Sequence, residues 1–168
     1  MNEIALDALR VRILKVFPAQ VRKSVEPLTD EQFWWRPNES SNSIANIVIH
    51  LTGSLNHFLN RDFGGLQYQR DREGEFKTRD GAPKGEVMAA FDAMVANAET
   101  TFASISPARL AEPSTEPKLN RYVFEDLLNI AVHLANHAGQ IVWIVKSMQE
   151  GLVDEVWIKT HRTEGAWV

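Results

Sequence analysis

Two histidines spaced four residues apart, His133 and His137 in the run AVHLANHAGQ, are the residues best suited to chemistry. The positions around them are apolar in a helical pattern. Residues four apart on a helix face the same way, so both imidazoles can reach one point. Neutral imidazole is the commonest metal ligand in proteins. The pair therefore predicts either half of a metal site or two hydrogen-bonded core histidines.

A third ligand can come from the run SIANIVIHLTGSLNHFL, which contains His50 and His57. On a helical wheel, His50 borders the apolar stripe, whereas His57 lies further toward the polar side. The two are two turns apart, so one ion would take one of them, and His50 is favoured. Three histidines on two facing helices leave a coordination position open, as in catalytic rather than structural zinc sites.

Other polar residues near these histidines give weaker indications. Asn46 lies one turn before His50 and Asn129 one turn before His133, so either could orient an imidazole or touch a substrate. The plainer interpretation of both is a polar residue on a solvated helix flank. Leu134 stands where the helix of a metalloprotease would carry its glutamate base. No protein base is evident, and the catalytic residues stay unassigned.

The composition excludes several classes of site. The chain has no cysteine, which excludes disulfides, zinc–thiolate sites and a cysteine nucleophile and leaves histidine and carboxylate as metal ligands. A net charge of -4 gives no electrostatic footprint for nucleic acid. The N-terminus lacks the pattern of a signal peptide, and no apolar run approaches the roughly 20 residues of a membrane span. We therefore expect a soluble, cytoplasmic protein.

The elements that must position the histidines are predicted to be four amphipathic helices. Their apolar stripes run over about residues 2–27, from Ser43 until Gly64, over 83–105 and over 122–149. Each helix must bury one stripe against the others, so the pattern predicts an all-α four-helix bundle in a single domain, 1–168. Pro18 should kink or divide the first helix.

Two segments fall outside the four helical patterns. Residues 60–83 are polar, charged and glycine-bearing, which predicts a long loop between the second and third helices, and loops of that length are often functional. The hydrophobic tail that follows the fourth helix, 151–168, is expected to pack back onto the bundle.

The serine-led run SNSIANIVIHLTGSLN and the later run HLANHAGQIVWI, in that order on a four-helix chain, resemble the DinB/YfiT-like superfamily of metal-dependent proteins. The resemblance covers most of the chain, and its most specific piece is the pattern H-x-x-x-H-x-G-Q with Gly139 and Gln140. It implies His50, His133 and His137 as ligands of a divalent ion, commonly zinc or nickel. It also implies homodimers.

Three functional hypotheses follow. Some relatives are thiol-dependent S-transferases or isomerases, so the resemblance implies a metal-dependent enzyme that acts on a small molecule, by transfer from a low-molecular-weight thiol or by hydrolysis. The second hypothesis is a metal-binding sensor or stress-response protein without catalysis. The third is a helical module that dimerises, or binds a partner, without metal.

Overall fold

The computed structural model describes residues 1–114 and 120–153. Within these ranges the regular structure is helical, and apart from an isolated bridge between Pro113 and Tyr122 no strand pairing occurs there. The α-helices are α1 Asn2–Val11, α2 Phe17–Val25, α3 Asp30–Trp34, α4 Ile44–Leu55, α5 Arg72–Lys77, α6 Lys84–Ser104 and α7 Val123–Met148. The predicted all-α bundle is confirmed.

The described part of the chain ends at residue 153, within the C-terminal tail. From residue 154 onward, the tail that was predicted to pack on the bundle lies outside the described residues. Among the helices that are described, none combines the length and the apolar character that a bilayer span requires.

The first long helix is divided, as Pro18 predicts. A π-helical segment, Arg12–Val16, joins α1 to α2, and Pro18 lies in the first turn of α2. Proline has no N–H to donate, and its ring crowds the carbonyl four residues earlier, which belongs to Leu14. Leu14 lies inside the π-helical segment, where the wider turn accommodates the missing bond.

The core lies where the apolar faces of the long helices meet. Direct contacts join α2 to α7, α4 to α6 and α4 to α7. Burial of each large apolar side chain stabilises the fold by roughly 1.5–3 kcal/mol. The largest fully buried apolar side chains are those of Phe33, Phe91, Ile13, Ile44, Leu51, Leu55, Leu59, Met94, Leu127, Leu134 and Ile141. The contact between α4 and α7 brings the histidine-bearing helices face to face.

The start of α4 is fixed by a capping box. The Ser43 hydroxyl accepts a hydrogen bond from the Asn46 backbone N–H at 3.1 Å, and the Asn46 side-chain oxygen accepts one from the Ser43 N–H at 3.2 Å. The Asn46 amide nitrogen also donates to the carbonyls of Glu75, at 3.0 Å, and Thr78, at 2.8 Å. Asn46, in the first turn of α4, therefore also fastens part of the 60–83 segment to this helix.

The 60–83 segment is more ordered than its composition suggests. A π-helical turn, Asn56–Arg61, continues α4, and α5 lies in the middle of the predicted loop. Asp71 caps α5 by accepting a hydrogen bond from the Gly74 N–H at 2.9 Å. The contact of α5 with α4 brings this segment next to His50.

Candidate metal centre

The structure brings the three histidines that were predicted as ligands together. One ring nitrogen from each of His50, His133 and His137 lies within 4.8 Å of the others. The ring centroid of His50 is 4.9 Å from each of the other two, which are 4.6 Å apart. The Nε2 atoms of His50 and His133 are 2.9 Å apart. One helix supplies a single imidazole and the facing helix supplies a pair.

The three imidazoles lie at the edge of the core. His50 is 8% exposed, and both α7 histidines are half-buried. Leu51 and Leu134, which neighbour the histidines in sequence, are fully buried. The group is therefore shielded from bulk water on the α4 side and accessible from the α7 side.

A buried ion pair lies behind His50. Glu75 Oε2 is 2.9 Å from His50 Nδ1, and the Arg70 guanidinium donates to both carboxylate oxygens, at 2.6 and 2.7 Å. A carboxylate accepts and does not donate, so Nδ1 carries the hydrogen and Nε2 carries the lone pair. Arg70 Nη2 is also 3.2 Å from Nδ1; because both atoms are then donors, this is a proximity and not a hydrogen bond.

Gln140 plays a similar part for His137. Its side-chain oxygen is 2.7 Å from His137 Nδ1. With the amide oxygen on that side, Nδ1–H donates and Nε2 keeps its lone pair. The glutamine of the H-x-x-x-H-x-G-Q pattern thus has a physical role, since it fixes the tautomer of the histidine one turn earlier.

The surroundings of His50 and His133 favour the neutral form of these two imidazoles. Burial lowers the pKa of His133 to about 4, and the neighbouring His137 and His50 lower it in the same direction. Burial also lowers the pKa of His50, against the opposing effect of its hydrogen bond to Glu75. Neutral histidines are the form that ligates metals, because a proton otherwise occupies the lone pair.

Glu75 is ionised for a different reason. Burial acts to raise its pKa, but the hydrogen bonds from Arg70 and His50 outweigh that effect and the pKa is lowered overall. The carboxylate therefore stays negative behind His50, where it can accept the Nδ1 hydrogen.

The three histidines fit a divalent transition-metal ion. Two nitrogens that each bind an ion at 2.0–2.1 Å in a tetrahedral arrangement lie about 3.3 Å apart. The observed range, from 2.9 Å between two Nε2 atoms up to 4.8 Å, brackets that value. Two lone pairs at 2.9 Å repel unless a hydrogen or a cation lies between them. A neutral all-nitrogen set suits zinc, nickel, copper or iron.

The remaining candidates fall elsewhere. His57 lies in the π-helical turn, with Nε2 2.9 Å from Arg61 Nη2, and does not join the histidine group. Asn46 does not hold an imidazole directly, because its described bonds go to Ser43 and to the backbone of the 60–83 segment. Asn129 is exposed on α7, as its plainer interpretation predicted. The fifth histidine of the chain, His161, is outside the described residues.

Sequence reasoning missed Arg70 and Glu75, which lie in the segment that was predicted to be a loop. One signal for their position was present in α4. A Cβ atom built on Gly53 would lie 2.1 Å from Glu75 Oε1. A glycine inside a helix, one turn after a candidate ligand, indicates close approach of another group.

A cleft of about 730 Å³ borders the site along α7. None of its described lining side chains is charged; they belong to Pro37, Ser40, Ser41, Asn42, Ile47, Ala135, Asn136, Gly139, Gln140, Trp143 and Ile144. The histidines themselves do not line it, but Gln140, which contacts His137, does. The cleft therefore lies beside the histidine group and does not enclose it.

The sequence model of the DinB superfamily matches residues 13–141. The chain belongs to the DinB superfamily. The matched range includes the three histidines, Gln140 and the Arg70–Glu75 pair, and the resemblance inferred from the α4 and α7 runs is confirmed. Neither the curated proteins nor the solved structures that were compared gave a significant match.

Proposed function

We propose that this member of the DinB superfamily binds one divalent transition-metal ion through His50, His133 and His137 and uses it in a reaction on a small molecule. The convergence of the three imidazoles carries the proposal, together with the acceptors on two Nδ1 atoms that leave the Nε2 lone pairs free. Zinc and nickel are the first ions to test, because neutral imidazole suits both.

A divalent ion with three protein ligands keeps a position open and supplies Lewis acidity, which lowers the pKa of a coordinated thiol or water. The side chains of the protein supply the rest. Glu75 and Gln140 accept hydrogen bonds from Nδ1 of two imidazoles, and the half-buried α7 side admits a ligand from solvent. The neighbouring cleft of about 730 Å³ has a volume typical of small-molecule sites.

Thiol transfer is the reaction that this arrangement favours. Glu75 is paired with Arg70 and faces Nδ1 of His50, so it is not placed to take a proton from a substrate on the Nε2 side. A small thiol, with a pKa near 8.5, needs little help to lose its proton to solvent. Its sulfur would then form a bond to an electrophilic carbon while the bond from that carbon to the leaving group breaks. Hydrolysis is the second reaction to test.

Among the described residues, none is positioned as a base on the Nε2 side. This also favours an alternative function, metal binding without catalysis. A protein that binds the ion for sensing or for a stress response needs no base. Metal binding without turnover of any thiol or hydrolase substrate would support that alternative. Homodimerisation stays a prediction.

Metal content is the first test. We expect tag-free protein purified without chelator to contain nearly one transition-metal ion per chain, and His50→Ala and His137→Ala to lose it. His57→Ala is the matched control, because His57 lies in the π-helical turn that follows the helix of His50 but is outside the histidine group. A parent protein with no metal, and no uptake of added zinc or nickel, would overturn the proposal.

Stability provides an independent measurement. A ligand present at 100 times its Kd stabilises the folded state by about 2.7 kcal/mol. We therefore expect the Tm of the parent to rise with added zinc and fall with chelator, and that of His137→Ala to respond to neither. An equal zinc response in the variant would place the ion elsewhere.

A further inference from the structure

Glu75 lies behind His50, on the side of the ring away from His133. We propose that Glu75 is a positioning residue of the metal site, which holds His50 with its hydrogen on Nδ1 and its Nε2 lone pair directed at the other two histidines. The inference rests on the proposed function, since it assigns a role toward the same ion.

Both nitrogens of His50 are engaged, on opposite edges of the ring. Nδ1 is 2.9 Å from Glu75 Oε2, and Nε2 is 2.9 Å from His133 Nε2. The Phe76 ring packs against the imidazole at 4.7 Å. A carboxylate that accepts the second N–H of a metal-ligating histidine fixes both the tautomer and the direction of the ring. The contacts around His50 have this form.

The carboxylate is itself held in one orientation. Arg70 donates to both of its oxygens, and the two side chains are only 8% and 4% exposed. A bidentate arginine–carboxylate pair fixes the plane of the carboxylate. Such buried pairs usually add little net stability compared with apolar packing. Its position next to a candidate ligand therefore calls for a role other than stability.

The backbone and the facing helix also place Glu75. The Asn46 side chain donates to the carbonyl of Glu75 at 3.0 Å. Gly53 leaves the space that Oε1 occupies, since a Cβ there would lie 2.1 Å away. Both residues belong to α4, one turn before and one turn after His50. The helix that carries the histidine is thus shaped to receive the carboxylate.

Glu75 could instead have a purely structural role, in which it only fastens the 60–83 segment to α4. Substitutions of Glu75 would then lower stability and leave metal binding unchanged. The readouts that separate the two roles are zinc affinity, measured by competition with a chelator, and the visible absorption spectrum of the cobalt-loaded protein. We expect Glu75→Ala to lower zinc affinity by about 10–100-fold and to change the cobalt spectrum.

Two further variants complete the test. Glu75→Gln keeps an acceptor oxygen, and because bonds to a neutral acceptor are about half as strong, we expect a smaller loss, on the order of 3–10-fold. Asp126→Asn is the matched control. Asp126 is another buried carboxylate that pairs with an arginine, Arg121, and it accepts from Ser114 at 2.6 Å. We expect this control to keep the zinc affinity and cobalt spectrum of the parent.

The outcomes are distinguishable. A Glu75→Ala protein that is less stable but binds zinc like the parent, with an unchanged cobalt spectrum, would overturn the inference and leave the proposed function standing. If Glu75→Ala does not fold, Glu75→Gln decides, and unchanged affinity and spectrum would overturn the inference. A parent that binds neither zinc nor cobalt would overturn the proposed function and this inference together.

Discussion

Two buried carboxylates, each paired with an arginine five residues earlier, differ in what else they touch. Glu75 pairs with Arg70 and Asp126 pairs with Arg121, and the acid side chains are 4% and 7% exposed. Glu75 also accepts from the imidazole of His50, whereas Asp126 accepts from a serine hydroxyl. The arginines differ too, since Arg70 is 8% exposed and Arg121 is 31% exposed.

The residue that each carboxylate contacts besides its arginine distinguishes the two pairs. Asp126 lies in the first turn of α7, where a negative charge interacts favourably with the helix dipole. Its partner Ser114 also donates its backbone N–H to the Arg121 carbonyl at 2.8 Å, so this pair braces the start of a helix. Glu75 reaches instead to a histidine on another helix. Both are arginine–carboxylate pairs, and the third partner of the carboxylate distinguishes the one that braces a helix start from the one that contacts a candidate metal ligand.

Removal of each acid in turn should give the largest difference between the two pairs, measured as the loss of unfolding free energy. Glu75→Leu leaves Arg70 buried without its carboxylate, and breaking a buried pair costs about 3–5 kcal/mol of unfolding free energy. Asp126→Leu leaves Arg121 able to reach water, so we expect a loss of roughly 1–2 kcal/mol. Urea unfolding with chelator present measures both. An equal or larger loss in Asp126→Leu would show that exposure of the arginine does not set the difference.

The same contrast explains how far the sequence could predict the site. His133 and His137 were predictable because their relation is local, four residues apart on one helix. His50 was predictable because it borders the apolar stripe of α4, which the structure buries as expected. The Ser43 cap fixed where that helix begins. For these residues, helical periodicity alone decides which way a side chain faces.

Glu75 could not be predicted in this way. Its contact with His50 spans 25 residues and depends on how the 60–83 segment folds. The helix in that segment, REGEFK, is mostly charged and contains a glycine, so its composition indicates a loop. A glutamate is also rarely buried unless it is paired, and a pattern-based reading places it in solvent. The role of Asn46 in fastening that segment was missed for the same reason, since the two carbonyls to which its side chain donates lie there.

Glycine replacements on the two ligand helices test how closely the Glu75 pair is fitted. Gly53→Ala would place a Cβ 2.1 Å from Glu75 Oε1, and the carboxylate has little room to move because Arg70 holds it. We expect a loss of about 1–3 kcal/mol and weaker zinc binding. Gly139 has nothing within 4 Å of its Cβ position, so Gly139→Ala should stabilise by about 0.5–1 kcal/mol with zinc affinity unchanged. A Gly53→Ala protein with the stability and zinc affinity of the parent would mean that the Glu75 carboxylate is not confined.

Acid offers a third comparison, because Glu75 contacts the imidazole of His50, next to His133, whereas no imidazole contacts Asp126 among its described bonds. The pKa of His133 is lowered to about 4 in the folded protein, against an ordinary value near 6.5. The unfolded chain therefore binds the proton at higher pH than the folded chain. The unfolding free energy of the metal-free protein should then fall as the pH drops from about 6.5 toward 4.

The window from pH 6.5 to 5 isolates this effect, since histidines titrate there more than carboxylates do. After allowance for solvent screening of a half-buried group, we expect a loss on the order of 1–2 kcal/mol across the full range. His133→Gln should reduce the slope without abolishing it, because the pKa values of His50 and His57 are also lowered by burial. Gly139→Ala, which removes no titratable group, should keep the parent slope. Parallel slopes for the parent and His133→Gln in chelator-treated protein would show that the surroundings of His133 do not hold its imidazole in the neutral form that binds a metal.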